Sequence, residues 1–90
     1  MDGSVPDLRR QIAGLLAGVI DLVEFQHWYW ANYSAIEQHG SDEDVDLLLR
    51  VLNRLSEYTS DYIDAAELLA ALRTDPLVQQ ELATHRIAVA

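Results

Sequence analysis

The chain contains no cysteine and no lysine, and only two prolines and four glycines among 90 residues. Without cysteine, neither disulfide bonds nor a thiolate metal site can stabilise it, and the sequence carries no mark of a redox compartment. Its basic residues are six arginines against fifteen aspartates and glutamates, which gives a formal net charge of -9. Nucleic acids and anionic membranes favour clusters of lysine and arginine. The composition therefore argues against both and favours a basic partner, unless the charge serves only solubility.

Long apolar runs are also missing. No run approaches the roughly 20 residues that span a bilayer, and residues 1–7 lack the basic start and apolar middle of a secretory signal. We therefore expect a cytoplasmic protein. Half of the residues are hydrophobic, which is enough for a core, and the length predicts a single domain over residues 1–90.

A short phrase occurs twice, first as Ile20 to Phe25 and again as Ile63 to Leu68. Each copy has an aspartate that can cap a helix and a glutamate three residues later that can bond back to the cap, which is a capping box. The apolar residues at the two ends of each copy have the spacing of a hydrophobic staple. The phrase therefore predicts two helix starts.

Apolar periodicity and end signals predict five helices. Ser4 caps the first, with Asp7 at its third position, and its stripe of Leu8, Ile12, Leu15, Leu16 and Val19 lies opposite Arg9, Arg10 and Gln11. The first helix is expected to end at about Ala17, with Gly18 as the stop, and the second to run from the cap Asp21 to Gln38 or His39, with Gly40 as the stop. The third is expected to run from Ser41 or Asp42 to a break at Thr59–Asp61. The fourth is expected from about Ala65 to Arg73, and the fifth from Leu77 to about Thr84, after the cap Asp75 and Pro76. The tail from Arg86 to Ala90 is expected to fray.

No segment has the alternation and turn chemistry of a strand, so the chain is predicted to be all-α. Short connections make neighbouring helices antiparallel, which predicts a compact antiparallel four-helix bundle with a short additional C-terminal helix.

The sequence favours a protein that is not an enzyme and binds no metal or cofactor. Glu24 and His27 have the ExxH spacing of di-iron bundles, but those sites need a second copy and two further glutamates. Glu24 is also already explained by capping. No glycine-rich phosphate loop, HExxH or GxSxG motif is present, and the serines lie in helix or cap contexts.

Two groups of carboxylates are candidates for binding a partner. The first acidic group places four carboxylates in five residues at the start of the third helix, which is more than helix initiation requires. The second acidic group surrounds the break between the third and fourth helices. The first group comprises Asp42, Glu43, Asp44 and Asp46, and the second comprises Glu57, Asp61, Asp64 and Glu67. The alternative is a solvated surface with no partner.

Aromatic residues are concentrated between Phe25 and Tyr33. Trp28 and Trp30 lie about 100° to either side of the second helix's apolar stripe, so both are expected to flank the core. A half-exposed tryptophan beside carboxylates would be a good interface anchor, whereas the simpler interpretation places all the aromatics in the core or at its rim.

The chain resembles the colicin D type of bacterial immunity protein. The resemblance rests on Leu16 to Phe25, then Trp28, Glu57-Tyr58 and the helix from Ile63-Asp64 to Leu72, and it covers most of residues 8 to 72. It implies a four-helix antitoxin whose acidic surface fills the basic substrate cleft of an RNA-cleaving toxin. The acidic residues proposed above come from their clustering, not from the resemblance.

Two functions follow as hypotheses. The first is a non-enzymatic immunity protein or inhibitor that neutralises a basic partner, a nuclease toxin domain, through the two acidic groups with Trp28 or Trp30 as apolar anchor. The second is a small structural or adaptor module that packs on another helical protein or on itself. The sequence leaves the oligomeric state open.

Overall fold

The computed structural model describes residues 5–84, and all regular secondary structure in that range is helical. The prediction of an all-α fold is therefore confirmed for these residues. The predicted cap Ser4 and the tail from Arg86 to Ala90 lie outside them. The helices are α1 (Leu8–Leu16), α2 (Leu22–His39), α3 (Asp42–Thr59), α4 (Ala65–Thr74) and α5 (Pro76–Thr84).

Side-chain caps fix where all five helices of residues 5–84 begin, and at the start of α5 the Asp75 side chain accepts from the backbone of Leu77 and Val78. Both copies of the repeated phrase form complete capping boxes. The side chains of Asp21 and Asp64 accept from the backbone N–H groups of Glu24 and Glu67, and the two aspartates' own backbone N–H groups donate to the glutamate side chains. Ser41 forms a third capping box with Asp44. The cap of α1 was wrongly predicted: Asp7 is the N-cap and accepts from the backbone of Arg10. Asp7 provides an acceptor at the residue directly before the apolar stripe, so the helix starts there.

Two glycines end helices for different reasons. Gly18 follows α1 with a φ of 78°, a left-handed conformation that glycine adopts without strain. Gly40 has an ordinary extended backbone, but a Cβ there would lie 2.6 Å from the Ile36 carbonyl oxygen and 2.8 Å from Cβ of Asp44. The turn between α2 and α3 therefore needs glycine, because the end of α2 and the start of α3 leave no room for a Cβ at this position.

The core lies between all five helices. α3 contacts α2, α4 and α5, while α1 contacts α2 and α5. Tyr29 lies at the centre, fully buried, and its hydroxyl donates to the Leu48 carbonyl oxygen at 2.7 Å. The other fully or nearly fully buried apolar side chains include Leu8, Ile12, Phe25, Ile36, Leu47, Leu48, Val51, Leu55, Leu68, Leu72 and Val78.

Two expectations for α1 are wrong. Val19 was expected in the apolar stripe, but α1 ends at Leu16 and Val19 is 78% exposed in the following turn. Arg9 was expected on the solvent side and is instead buried. Its position is explained by two carboxylates contributed by other helices, as described below.

Within the described residues, no helix combines the length and apolarity needed to cross a bilayer.

Candidate functional site

Three carboxylates of the first acidic group project from the start of α3 without a partner. Asp42, Glu43 and Asp46 are all exposed, and within residues 5–84 none of them forms an ion pair or a side-chain hydrogen bond. Asp42 and Glu43 lie in the first helical turn, where the helix dipole offsets part of their repulsion. We call these three residues the α3 trio. They form a concentration of uncompensated negative charge.

Asp44, the fourth member of that group, has a structural role. Its side chain accepts from the Ser41 backbone at 3.0 Å and forms an ion pair with Arg9. Burial by itself raises the pKa of the Asp44 carboxyl, but the bonds from Arg9 and from Ser41 outweigh burial and lower that pKa overall. Asp44 is therefore held ionised by contacts inside the molecule.

Arg9 is the centre of a buried triad that joins three helices. From α1, it contacts Asp44 of α3, and its Nε donates to Oε1 of Glu81 in α5 at 2.9 Å. Burial lowers the pKa of the Arg9 guanidinium, but the two carboxylates more than compensate and raise it. The triad forms part of the wall of an open cleft of about 550 Å³, which is also lined by Ser41, Glu43, Gln80 and Thr84.

Every arginine in the described residues is engaged internally. Arg10 pairs with Asp7, Arg50 with Asp75, and Arg54 with Glu57. Arg73 donates to the Leu16 carbonyl oxygen at 2.8 Å. With Arg9 in the triad, no arginine among residues 5–84 is left over to neutralise the α3 trio.

The second acidic group is more heterogeneous than the first. Glu57 is paired with Arg54 at 2.7 Å, and Asp64 and Glu67 form the capping box of α4 while remaining exposed. Asp61 is exposed and lies in the turn after α3 with a φ of 63°, a conformation that aspartate tolerates better than most residues.

The two acidic groups lie at opposite ends of α3. The rise from Asp42 to Thr59 is about 25 Å at 1.5 Å per residue. A single contact patch on a partner cannot be centred on both groups. The α3 trio differs from the other end because its carboxylates have neither an ion pair nor a hydrogen bond with any described residue, whereas Asp64 and Glu67 accept hydrogen bonds from backbone N–H groups.

The two tryptophans occupy different environments. Trp28 is partly buried against the core, whereas Trp30 is 50% exposed. The Trp30 ring lies edge-on to Tyr29 at 5.0 Å between centroids and 6.1 Å from Tyr33. Two helical positions separate the tryptophans by about 160° around the axis, so they cannot share one contact surface. Both flank the core as predicted, but only Trp30 is largely accessible.

His27, the candidate metal ligand, is exposed on α2. Among the described residues, no three histidine, aspartate or glutamate side chains come together in a way that would hold a metal ion. The absence of a metal, a cofactor and catalysis stays a prediction from sequence.

Comparison with known protein families, with curated proteins and with solved structures found no match.

Sequence reasoning missed the buried triad and Asp75. Arg9 and Glu81 are 72 residues apart in sequence, and only the packing of α1 against α5 brings them together. A signal for Arg9 was present: it shares a helical face with Ala13, four positions later, and with Leu16, three positions after Ala13. Asp75, predicted only as a cap, is buried and also pairs with Arg50 at 3.6 Å. The contact of all ten predicted site residues with a partner stays a prediction.

Proposed function

We propose that this protein is a non-enzymatic inhibitor of the immunity type, which binds a basic partner through the α3 trio. The observation that carries the proposal is the distribution of charge. The arginines of residues 5–84 are consumed by internal contacts, while Asp42, Glu43 and Asp46 remain exposed and unpaired at one end of one helix. Mere solubility does not require this separation, because charges can be interspersed over the whole surface.

The partner is a nuclease toxin domain, as the resemblance implies. A cleft that binds phosphates is lined by cations, and the same cations attract a carboxylate array. The inhibitor acts by occupying the substrate cleft, with charge increasing the rate of association and close packing slowing dissociation. It performs no chemistry on the partner, needs no cofactor and works in the cytoplasm.

The fold that presents this surface is an antiparallel four-helix bundle with α5 as the added helix. α2 and α3 are joined by only Gly40 and Ser41, and the Tyr29 hydroxyl reaches the Leu48 carbonyl near the middle of both helices. A short link with contact at mid-length is typical of helices that run in opposite directions. A single rigid domain then holds the trio in a fixed arrangement.

The experiment is capture from the native host with the protein as bait, with washes at low and high salt and a nuclease assay of what is captured. The test variant is Asp42→Asn/Glu43→Gln/Asp46→Asn, which removes three charges with little change of shape. A matched control, Ala31→Lys/Ala66→Lys/Ala70→Lys, changes the net charge equally at three exposed positions and leaves the trio intact.

The proposal expects a basic nuclease that the wild type and the control inhibit and the trio variant does not. Equal inhibition by the trio variant, with unchanged helical circular dichroism in all three proteins, would show that this surface is not the inhibitory one. Recovery of no nuclease from any bait would remove the functional assignment.

A second candidate is an adaptor module, favoured by exposed apolar residues away from the trio. Val19, Val23 and Tyr62 are 78%, 62% and 81% exposed. Burial of such residues would stabilise self-association or docking to another helical protein. Sedimentation across salt concentrations separates the two functions: a stable homo-oligomer insensitive to salt supports the adaptor, and a monomer supports the inhibitor.

A further inference from the structure

Leu49 and Trp30 are two half-exposed apolar side chains on neighbouring helices. Leu49 is 44% exposed on α3 and Trp30 is 50% exposed on α2. Each directly follows a residue of the buried contact between the helices, since Trp30 follows Tyr29 and Leu49 follows Leu48.

Helix geometry places these two side chains on the same side of the α2–α3 pair. In each right-handed helix, the residue after one that faces the other helix is rotated by about 100° around the axis. When the two helices run in opposite directions, these two rotations point to the same side of the pair. Because both residues are exposed, that side faces solvent. The Trp30 ring packs against the rings of Tyr29 and Tyr33. These contacts hold it in its half-exposed position.

Two members of the α3 trio lie on the same strip of α3 as Leu49. Asp42, Asp46 and Leu49 are four and then three residues apart, which is the spacing of one helix face, and all three are exposed. The strip continues through the exposed residues Asn53 and Ser56 and carries no cation. The carboxylates therefore border the apolar pair along α3.

We propose that Trp30 and Leu49 form the apolar centre of the acidic surface, and that the occupant is a basic segment with one large apolar side chain flanked by lysine or arginine. Charge complementarity selects this occupant, because an uncharged apolar segment would leave Asp42 and Asp46 facing apolar groups. The inference deepens the proposed function and rests on it. It also separates Trp30 from Trp28 and from the second acidic group, which take no part in this contact.

The test uses the whole chain and two synthetic lysine-rich helical peptides that differ only in a central leucine or serine. In a Trp28→Phe background, Trp30 is the sole tryptophan, and a blue shift of its emission reports burial. We expect the leucine peptide to shift the emission of Trp28→Phe protein and to leave that of Trp30→Phe protein unchanged. We also expect Leu49→Ala to weaken binding of the leucine peptide about five- to tenfold, which is the effect of losing a partly buried leucine side chain. It should leave the serine peptide unaffected.

Controls distinguish failure of this inference from failure of the proposed function. Val19→Ala removes an apolar side chain that is even more exposed but lies outside α2 and α3, and should change neither peptide's affinity. If the Asp42→Asn/Glu43→Gln/Asp46→Asn variant loses both peptides while Leu49→Ala and Trp30 emission show no effect, the apolar centre is wrong and the acidic surface stands. If the trio variant binds both peptides as tightly as wild type, the acidic surface fails and the inference fails with it.

Discussion

Removal of the Arg9 guanidinium tests the buried triad most sharply. Arg9→Met keeps most of the side-chain volume and removes the guanidinium that pairs with both Asp44 and Glu81. The Arg9 side chain is 10% exposed, and those of Asp44 and Glu81 are 18% and 7% exposed, so water screens these charges little. The variant leaves two carboxylates close together without the cation that binds both.

Breaking a buried ion pair from one side costs about 3–5 kcal/mol. A domain of this size has an unfolding free energy of about 5–13 kcal/mol, so the variant should lose a large part of it. The corresponding fall in melting temperature exceeds about 10 °C, since 1 kcal/mol shifts a domain of this size by roughly 4–8 °C. Urea unfolding followed by far-UV circular dichroism measures the difference directly.

The pH dependence provides an internal check. In the wild type the pKa of Asp44 is lowered, so its stabilising contribution is complete above its unfolded-state value and is lost as pH falls through the lowered pKa. Arg9→Met removes the main contact that lowers this pKa, so the two proteins should converge in stability under acid conditions. A loss under about 1 kcal/mol in Arg9→Met would refute this role of the triad.

Four further variants test stability. Gly40→Ala should cost about 2–3 kcal/mol, because its Cβ would overlap a backbone carbonyl and Cβ of Asp44. Gly18→Ala should lower the free energy of unfolding by about 1–2 kcal/mol, because φ is 78° there; the loss is smaller than at Gly40 because the surroundings are open. If denaturant unfolding gave the reverse order for the two variants, both explanations would be contradicted. Tyr29→Phe should cost about 1 kcal/mol by removing the hydrogen bond to the Leu48 carbonyl. Burial raises the Tyr29 pKa, so the wild type should lose its advantage over Tyr29→Phe as pH rises above about 10, the unfolded value; a gap that persists in unfolding measurements at higher pH would argue against burial of the phenol. Asp44→Asn should lose less stability than the wild type as pH falls below about 4, because it lacks the carboxylate that is protonated there. Thermal unfolding of both proteins across that range measures this, and equal slopes of stability against pH would show that Asp44 is not the cause.

The helices could be predicted closely from sequence because their end signals are local. Asp21, Asp64 and Asp75 cap helices as expected, and Gly18 and Gly40 follow helices as expected. Each signal depends on residues within one or two turns, so a reader of the sequence sees all the interacting groups at once.

The environment of individual side chains could be predicted less well. Arg9 was placed in solvent because a charged residue beside an apolar stripe is usually exposed. Its burial depends on carboxylates 35 and 72 residues away, which only the packing of three helices reveals. Asp44 was counted with its acidic neighbours for the same reason: nothing local distinguishes a carboxylate that pairs inside the molecule from one that faces solvent.

The candidate surface was partly predictable. The acidic group at the start of α3 is visible as a run of letters, and Trp30 was recognised as an aromatic at the edge of the core. The proposed pairing of Leu49 with Trp30 was not visible, because it depends on how α2 and α3 lie side by side, and that arrangement is not written in either helix's sequence.

The most direct test of the central claim is a nuclease assay of the captured partner, titrated with wild-type protein, with the Asp42→Asn/Glu43→Gln/Asp46→Asn variant, and with the charge-matched Ala31→Lys/Ala66→Lys/Ala70→Lys control. The inhibitor hypothesis predicts complete inhibition by the wild type and the control, and loss of inhibition in the trio variant. Equal inhibition by all three proteins, or inhibition by none, would contradict it.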